Sequence, residues 1–250
     1  MTNNKTYFIA NWKMYGNASS LKSIKNVIKL SKLRKFSKAK IIYCPPFTLL
    51  ADFVKKTKLS KISVGAQDCH RSENYGAYTG SINSKMIKKT GSSYVIIGHS
   101  EKRKSGDTDT EINRKIKSAI KENLNVIFCI GETLKEKKSK KTDFVLKRQI
   151  KKGLNEIKKL NKIIIAYEPV WSIGTGIIPK MDNLKIQVHK IEKILKKEFK
   201  NKNPKIIYGG SVNSNNIDQL NKINNISGFL IGKSSQNSKI FIDIIKKTIN

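Results

Sequence analysis

Cysteine, arginine and acidic residues are all scarce in this 250-residue chain, and each scarcity closes off a class of function. Three cysteines, Cys44, Cys69 and Cys129, are too few for a disulfide framework, and no two stand at the C-x-x-C spacing of a zinc site. No apolar run approaches the ~18 residues that a membrane span requires. The opening MTNNKTYFIANWK sets one lysine before a short apolar stretch, too short for a secretory signal. A reduced, soluble, cytoplasmic protein is the expectation. Counted with glycine in place of tyrosine, apolar residues make up about 41 % of the chain, a little under the ~45–50 % of globular domains. A core is within reach, and wholesale disorder is not expected.

The 18 Asp and Glu face 51 Lys and Arg, a formal charge of +33. Only five of those cations are arginine, the residue whose planar fork reads bases and phosphates. The lysines spread over nearly every helical stretch and accompany an excess of Ile and Asn, whose codons share a bias toward adenine and thymine. The charge therefore reads as coding bias written onto solvated faces. It predicts weak, salt-sensitive adhesion to polyanions and no specific nucleic-acid partner.

Short apolar runs alternate with longer amphipathic ones. Strands are expected at Tyr7–Ala10, Ile41–Tyr43, Ile62–Ala66, Tyr94–Ile97, Val126–Ile130, Ile163–Tyr167, Ile206–Tyr208 and Phe229–Ile231. Unbroken Val/Ile runs without polar alternation suit parallel strands buried on both faces. Helical spacing links Leu21, Ile24, Val27 and Ile28, and again Ile112, Ile116, Ala119 and Ile120. Further helices are expected around Phe144, Ile150, Leu154 and Ile157, and around Ile186, Ile191, Ile194 and Leu195. Eight βα units with no linker between them predict an α/β fold, a single (β/α)8 barrel over residues 1–250. Two doubly wound domains are the competing architecture, but no composition break marks a boundary.

A barrel carries its site at the C-terminal ends of its strands, and the unusual residues of this chain collect there. Asn11 and Lys13 are two apart, so on an extended segment both point to one side. Either Lys13 aims an ammonium into the barrel mouth, where an anion would sit, or the chain has already left the strand and Lys13 lies in solvent. His99 follows the fourth strand and precedes Ser100-Glu101, a helix-starting pair. There the helix dipole disfavours imidazolium, leaving a neutral ring able to donate to a carbonyl and move protons. The competing reading is a structural histidine. Glu168 ends an apolar run, where desolvation should raise its pKa toward the general-base range, unless a lysine pairs with it. Val170–Gly176, which contains the bulky Trp171 and the hinge-like Gly174 and Gly176, suits a lid. Ser211 after two glycines, and Gly232 after the last strand, expose main-chain N–H groups of the kind that bind phosphate. Gly232-Lys233-Ser234 is no Walker loop, because Ser227 stands where that motif needs glycine.

These residues fall in motifs. NWKM (Asn11–Met14), GHSEKR (Gly98–Arg103), AYEPVWSIGTG (Ala166–Gly176) and YGGSV (Tyr208–Val212) closely resemble the triosephosphate isomerase family. GAQDC, GAYTG (Gly76–Gly80) and CIGET (Cys129–Thr133) fit as well, in order from Tyr7 to Ile231. The resemblance implies a TIM barrel that interconverts dihydroxyacetone phosphate and glyceraldehyde 3-phosphate through an enediolate. It casts Glu168 as the base between the two carbons and neutral His99 as the acid that polarises the carbonyl. Lys13 and Asn11 serve the substrate oxygens, and Glu101 is a supporting carboxylate. The N–H groups of Gly174, Ser211, Gly232 and Lys233 hold the phosphate. No metal and no cofactor are called for.

The resemblance also implies a homodimer, with the third loop (Gln67–Gly80) beside the partner's site and Thr79 at its tip. The chain departs from the family in several places. Ser81 stands where an acid is usual and Lys102 where Arg is usual, so that interface ion pair should be absent. Ser172 replaces an alanine in the lid. Lys233 replaces a glycine, which either strains the turn or sits in ordinary backbone with its stem toward solvent. Two rivals stand against the isomerase: a catalytically silent cationic barrel that binds polyanions, and another phosphate-binding barrel isomerase.

Overall fold

The computed structural model describes residues 5–249. The ends of the expected domain, residues 1–4 and 250, lie outside them. Among the described residues, strands β1 (Thr6–Asn11), β2 (Ala39–Cys44), β3 (Ser63–Ala66) and β4 (Tyr94–Ile97) are followed by β5 (Asn125–Ile130), β6 (Ile163–Tyr167), β7 (Lys205–Tyr208) and β8 (Gly228–Ile231). They close into a barrel in chain order, with β8 paired to β1 and every pair parallel. Each expected strand is present, Tyr94–Ile97 and Ile163–Tyr167 to the residue, and no end of the others is shifted by more than two residues.

The unbroken apolar runs have the cause anticipated for them, since successive residues of a strand face opposite sides and here both sides are dry. Ile9, Ile42, Ile96, Ile127, Ile164, Ile207 and Leu230 fill the barrel interior. Their neighbours Phe8, Ile41, Val95, Phe128, Ile165, Ile206 and Phe229 face outward, against helix residues such as Val27, Phe53, Ile116, Ile150, Ile191 and Phe241.

The helix expectations need three corrections, one being that the helix carrying Phe144 and Ile150 ends at Gly153, short of Leu154 and Ile157. The first pattern is not one helix. Asn17 caps a 3-10 turn at Ala18–Lys22, and the α-helix begins only at Lys25–Lys32. Phe144 and Ile186 do not face the core; they are 66 % and 49 % exposed. At 100° per residue, Phe144 lies roughly 240° around its helix from Ile150, and Ile186 roughly 140° from Ile191. The buried stripes run instead through Val145, Leu146 and Ile150, and through Leu184, Val188, Ile191 and Leu195.

Barrel closure positions the site. Trp12, just past β1, is buried and donates from Nε1 to the Ser235 carbonyl at 3.2 Å. This tie holds the loop after β8 beside the loop after β1, although 223 residues separate them in the chain.

Candidate active site

At the C-terminal mouth lies a cavity of about 390 Å3. Asn11, Lys13, His99, Gly174, Ser211, Gly232 and Lys233 all line it, so residues from the ends of five strands meet in one place. Glu168 is not part of this lining. It is 2 % exposed, and its Oε1 accepts the Ser100 N–H at 2.8 Å.

Lys13 reaches the cavity by a route different from the one expected. The segment is not extended there, because β1 ends at Asn11 and Lys13 has φ +54°. A non-glycine residue in this left-handed region carries about 1 kcal/mol or more of strain. Two contacts hold it. Its N–H donates to Asn11 Oδ1 at 3.1 Å, and its carbonyl accepts from Gln67 Nε2 at 2.8 Å. Gln67 also donates to the Cys44 carbonyl, so one amide bridges the loop after β1 and the end of β2. The ammonium reaches Glu101 Oε1 at 2.6 Å, and a Cβ placed on Gly232 would stand 3.8 Å from Lys13 Cε. The cation is therefore poised between the fourth-strand loop and the last turn.

His99 caps the short helix Ser100–Lys104, as the Ser100-Glu101 pair suggested. Its Nδ1 accepts the Glu101 N–H at 3.3 Å. An Nδ1 that accepts leaves Nε2 as the donating nitrogen of the ring. Nε2 stands 3.5 Å from Glu168 Oε2, an oxygen with no hydrogen-bond partner among the described residues. Burial pushes the Glu168 carboxyl above the ordinary carboxylate range, against the opposing pull of His99, the Ser100 N–H and Lys13. Among the described residues, no lysine pairs directly with it. A buried carboxylate with raised proton affinity and a free oxygen is suited to take a proton from carbon.

The segment Val170–Gly176, expected to be a lid, has a turn at its start and two left-handed glycines after it. Val170–Ser172 form a 3-10 turn, and Gly174 and Gly176 follow at φ +72° and +77°, where a side chain would be strained. Its Trp171 donates to Glu132 Oε1 at 2.8 Å, while Lys137 Nζ sits 3.2 Å over the indole ring. Tyr167 OH donates to the other Glu132 oxygen at 3.2 Å. Burial pushes the Glu132 carboxyl up. Neither Glu132 nor Gln67 was singled out from sequence. Both lie inside quoted motifs, CIGET and GAQDC, which were the available signal.

Gly232 precedes a 3-10 turn at Lys233–Ser235. Lys233 is absent from the residues with positive φ, so its backbone is ordinary and its exposed stem brings no strain. Lys102 pairs within its own chain, with Asp68 Oδ2 at 3.2 Å. Asp68 and Asp107 in turn flank the buried Lys115 ammonium.

Comparison with known proteins agrees with this geometry. A sequence profile of the family "Triosephosphate isomerase" matches residues 6–248. The triosephosphate isomerase of Dictyoglomus thermophilum is 42 % identical over 244 residues, covering 95 % of this chain and 97 % of that protein. That of Wolbachia pipientis is 38 % identical, covering 96 % and 92 %. The crystal structure of triosephosphate isomerase from Bartonella henselae superposes with a TM-score of 0.88 at 32 % identity, covering 97 % of this chain and 98 % of that one. Strand order, site geometry and these likenesses converge: the chain belongs to the triosephosphate isomerase family.

Proposed function

We propose that this protein interconverts dihydroxyacetone phosphate and glyceraldehyde 3-phosphate, acting as an intramolecular aldose–ketose isomerase without metal or cofactor. The observation that carries the reading is the pairing of Glu168 Oε2 with His99 Nε2 at 3.5 Å, beside a cavity lined by Lys13 and main-chain donors. Glu168 removes a proton from one substrate carbon and returns it to its neighbour. His99 donates from Nε2 to the carbonyl oxygen as negative charge develops there, and takes part in moving the proton between the two oxygens. Lys13 lies where its positive charge stabilises the enediolate, and Asn11 donates to the same oxygens. The N–H groups of Gly174, Ser211, Gly232 and Lys233 hold the phosphate. The lid shuts water out while the enediolate exists.

We place residues 1–250 in one domain and the protein in the cytoplasm. No described helix is long and apolar enough to cross a membrane. A homodimer belongs to the same proposal. Met14, Tyr15, Tyr75 and Tyr78 are 93, 61, 63 and 47 % exposed. They sit on the first and third loops, which Gln67 ties together. Large apolar side chains left in solvent on linked loops mark a surface that a second copy would cover.

A coupled assay starting from glyceraldehyde 3-phosphate tests the reaction. Turnover in the purified protein, lost in Glu168→Gln, supports the assignment. Absence of turnover in the unaltered protein refutes it and leaves the silent cationic barrel.

A further inference from the structure

The barrel has a second opening, at the N-terminal ends of its strands, and lysines crowd it. The segments that lead from a helix into each of β2 to β8 carry only two acids, Glu122 and Glu156, and Glu156 is already paired with Lys117. Inside the opening the cations face inward. Lys40 and Lys205 stand two residues before Ile42 and Ile207, and Tyr7 and Tyr94 two before Ile9 and Ile96. All four therefore extend the rows of side chains that fill the barrel interior. Lys162 stands two before Ile164, immediately ahead of β6. The three lysines are half-buried, and each finds only neutral company. Lys40 Nζ donates to Ser63 Oγ at 2.8 Å and lies 5.8 Å from the Tyr94 ring centre. Lys205 Nζ donates to the Asn161 carbonyl at 3.4 Å and lies 6.0 Å from the Tyr7 ring centre. Lys162 Nζ reaches the Asn123 carbonyl at 3.5 Å. Among the described residues, no carboxylate pairs with any of the three. The buried Lys115, by contrast, has both Asp68 and Asp107. Burial and the neighbouring Lys5 hold the Lys40 ammonium below the ordinary lysine range. Cations withdrawn from water without a counter-charge are costly, and an anion placed among them relieves that cost.

We propose that this opening, at the end of the barrel opposite the candidate active site, is a second anion site, and that its ligand is a linear chain of phosphates, inorganic polyphosphate. The inward-facing cations are all lysine, point charges that suit phosphate oxygens, with no arginine fork to hold a carboxylate. Lys40 enters from β2, while Lys162 and Lys205 enter from β6 and β7 on the other side of the opening. A chain of charges meets both sides; a single small anion does not. The Tyr94 ring is buried and the Tyr7 ring lies under Lys205, so a nucleobase finds no platform on which to stack. The site shares no residue with the isomerase machinery and does not depend on that reading.

The test follows end-labelled inorganic polyphosphate by fluorescence anisotropy. It compares the unaltered protein with Lys40→Gln/Lys205→Gln and with Lys25→Gln/Lys29→Gln, which removes equal charge from exposed helix positions. Loss of the two inward lysines is expected to weaken binding about 25-fold, from roughly fivefold for each ammonium about 4 Å from a phosphate. The slope of log affinity against log salt should flatten by about 1.4. The helix pair should stay within about twofold of the unaltered protein. Without polyphosphate, the Lys40/Lys205 variant should melt no lower than the unaltered protein, since it sheds uncompensated charge. Equal losses in the two pairs, or no binding by the unaltered protein, overturn the site. A comparable loss in Lys233→Gln places the chain in the catalytic mouth and overturns it as well. Single-stranded DNA of equal charge that binds as tightly, and loses as much in the Lys40/Lys205 variant, overturns polyphosphate as the ligand. Should that variant not fold, Lys162→Gln decides, with a roughly fivefold loss expected and no loss refuting the site.

Discussion

Replacing Glu168 by glutamine keeps the shape of the side chain and removes both its charge and its basicity, so activity and stability should move in opposite directions. Loss of a general base costs between about 10² and 10⁴ in rate, and kcat is expected to fall by at least ~10³. Stability should rise. Glu168 is 2 % exposed, and its Oε2 lacks a hydrogen-bond partner among the described residues, so the folded protein holds a desolvated carboxylate. Glutamine retains an oxygen for the Ser100 N–H. Relief of such a group is worth roughly 1–3 kcal/mol, or roughly 2 to 12 °C in Tm for a chain of this size. The pH dependence fixes the sign. Folding raises the carboxyl's pKa above 4.5, so the native state binds the extra proton. The associated stability is present at low pH and is lost as pH rises through the raised pKa. Glutamine does not titrate. The variant's advantage is therefore greatest near neutral pH and shrinks toward pH 4.5. Circular-dichroism melts at matched protein concentration, alongside the coupled assay, measure both effects. Near-normal turnover, or a variant that melts below the unaltered protein at neutral pH, would refute the reasoning.

Lys233→Gly should leave kcat within about threefold and raise KM modestly, because Lys233 sits in unstrained backbone and its loss removes only attraction for a dianion. That gap should close as salt is added. A higher kcat/KM at every salt concentration would show that the lysine is a tolerated defect. The kcat/KM of the unaltered protein should fall on the acid side through an apparent pKa above the ordinary carboxylate range, as the raised Glu168 carboxyl takes its proton. An acid limb at or below that range contradicts the assignment of the base. The proposed dimer should tighten slightly with salt, since Lys102 is paired within its own chain and added ions relieve repulsion between two subunits of +33. Sedimentation showing dissociation as salt rises would contradict this. Activity should persist in excess EDTA, because Lys13 and His99 act as the electrophiles in the proposed mechanism; a metal requirement would refute it.

Much of this protein was legible along the chain because its information is local. Ile163–Tyr167 and Tyr94–Ile97 announce strands buried on both faces, because a parallel strand inside a shell of helices has no wet side. His99 and Glu168 stand out because polar groups directly after such runs must lie at the barrel mouth. Tertiary structure decided what depends on partners distant in sequence or on angular position around a helix. Phe144 and Ile186 share the hydrophobicity of their neighbours, yet turn to solvent, because 100° steps carry them off the buried stripe. The left-handed turn at Lys13 is not encoded by lysine, which disfavours it. Gln67, 54 residues onward, holds its carbonyl in place. Glu132 meets Trp171 across 39 residues, and Ser172 meets Tyr208 across 36, only because neighbouring strands bring the following loops together at one end of the barrel. Ser172 looks unremarkable in a row of letters. Barrel closure sets a buried tyrosine hydroxyl opposite it, and an unpaired hydroxyl in a dry interior needs a partner.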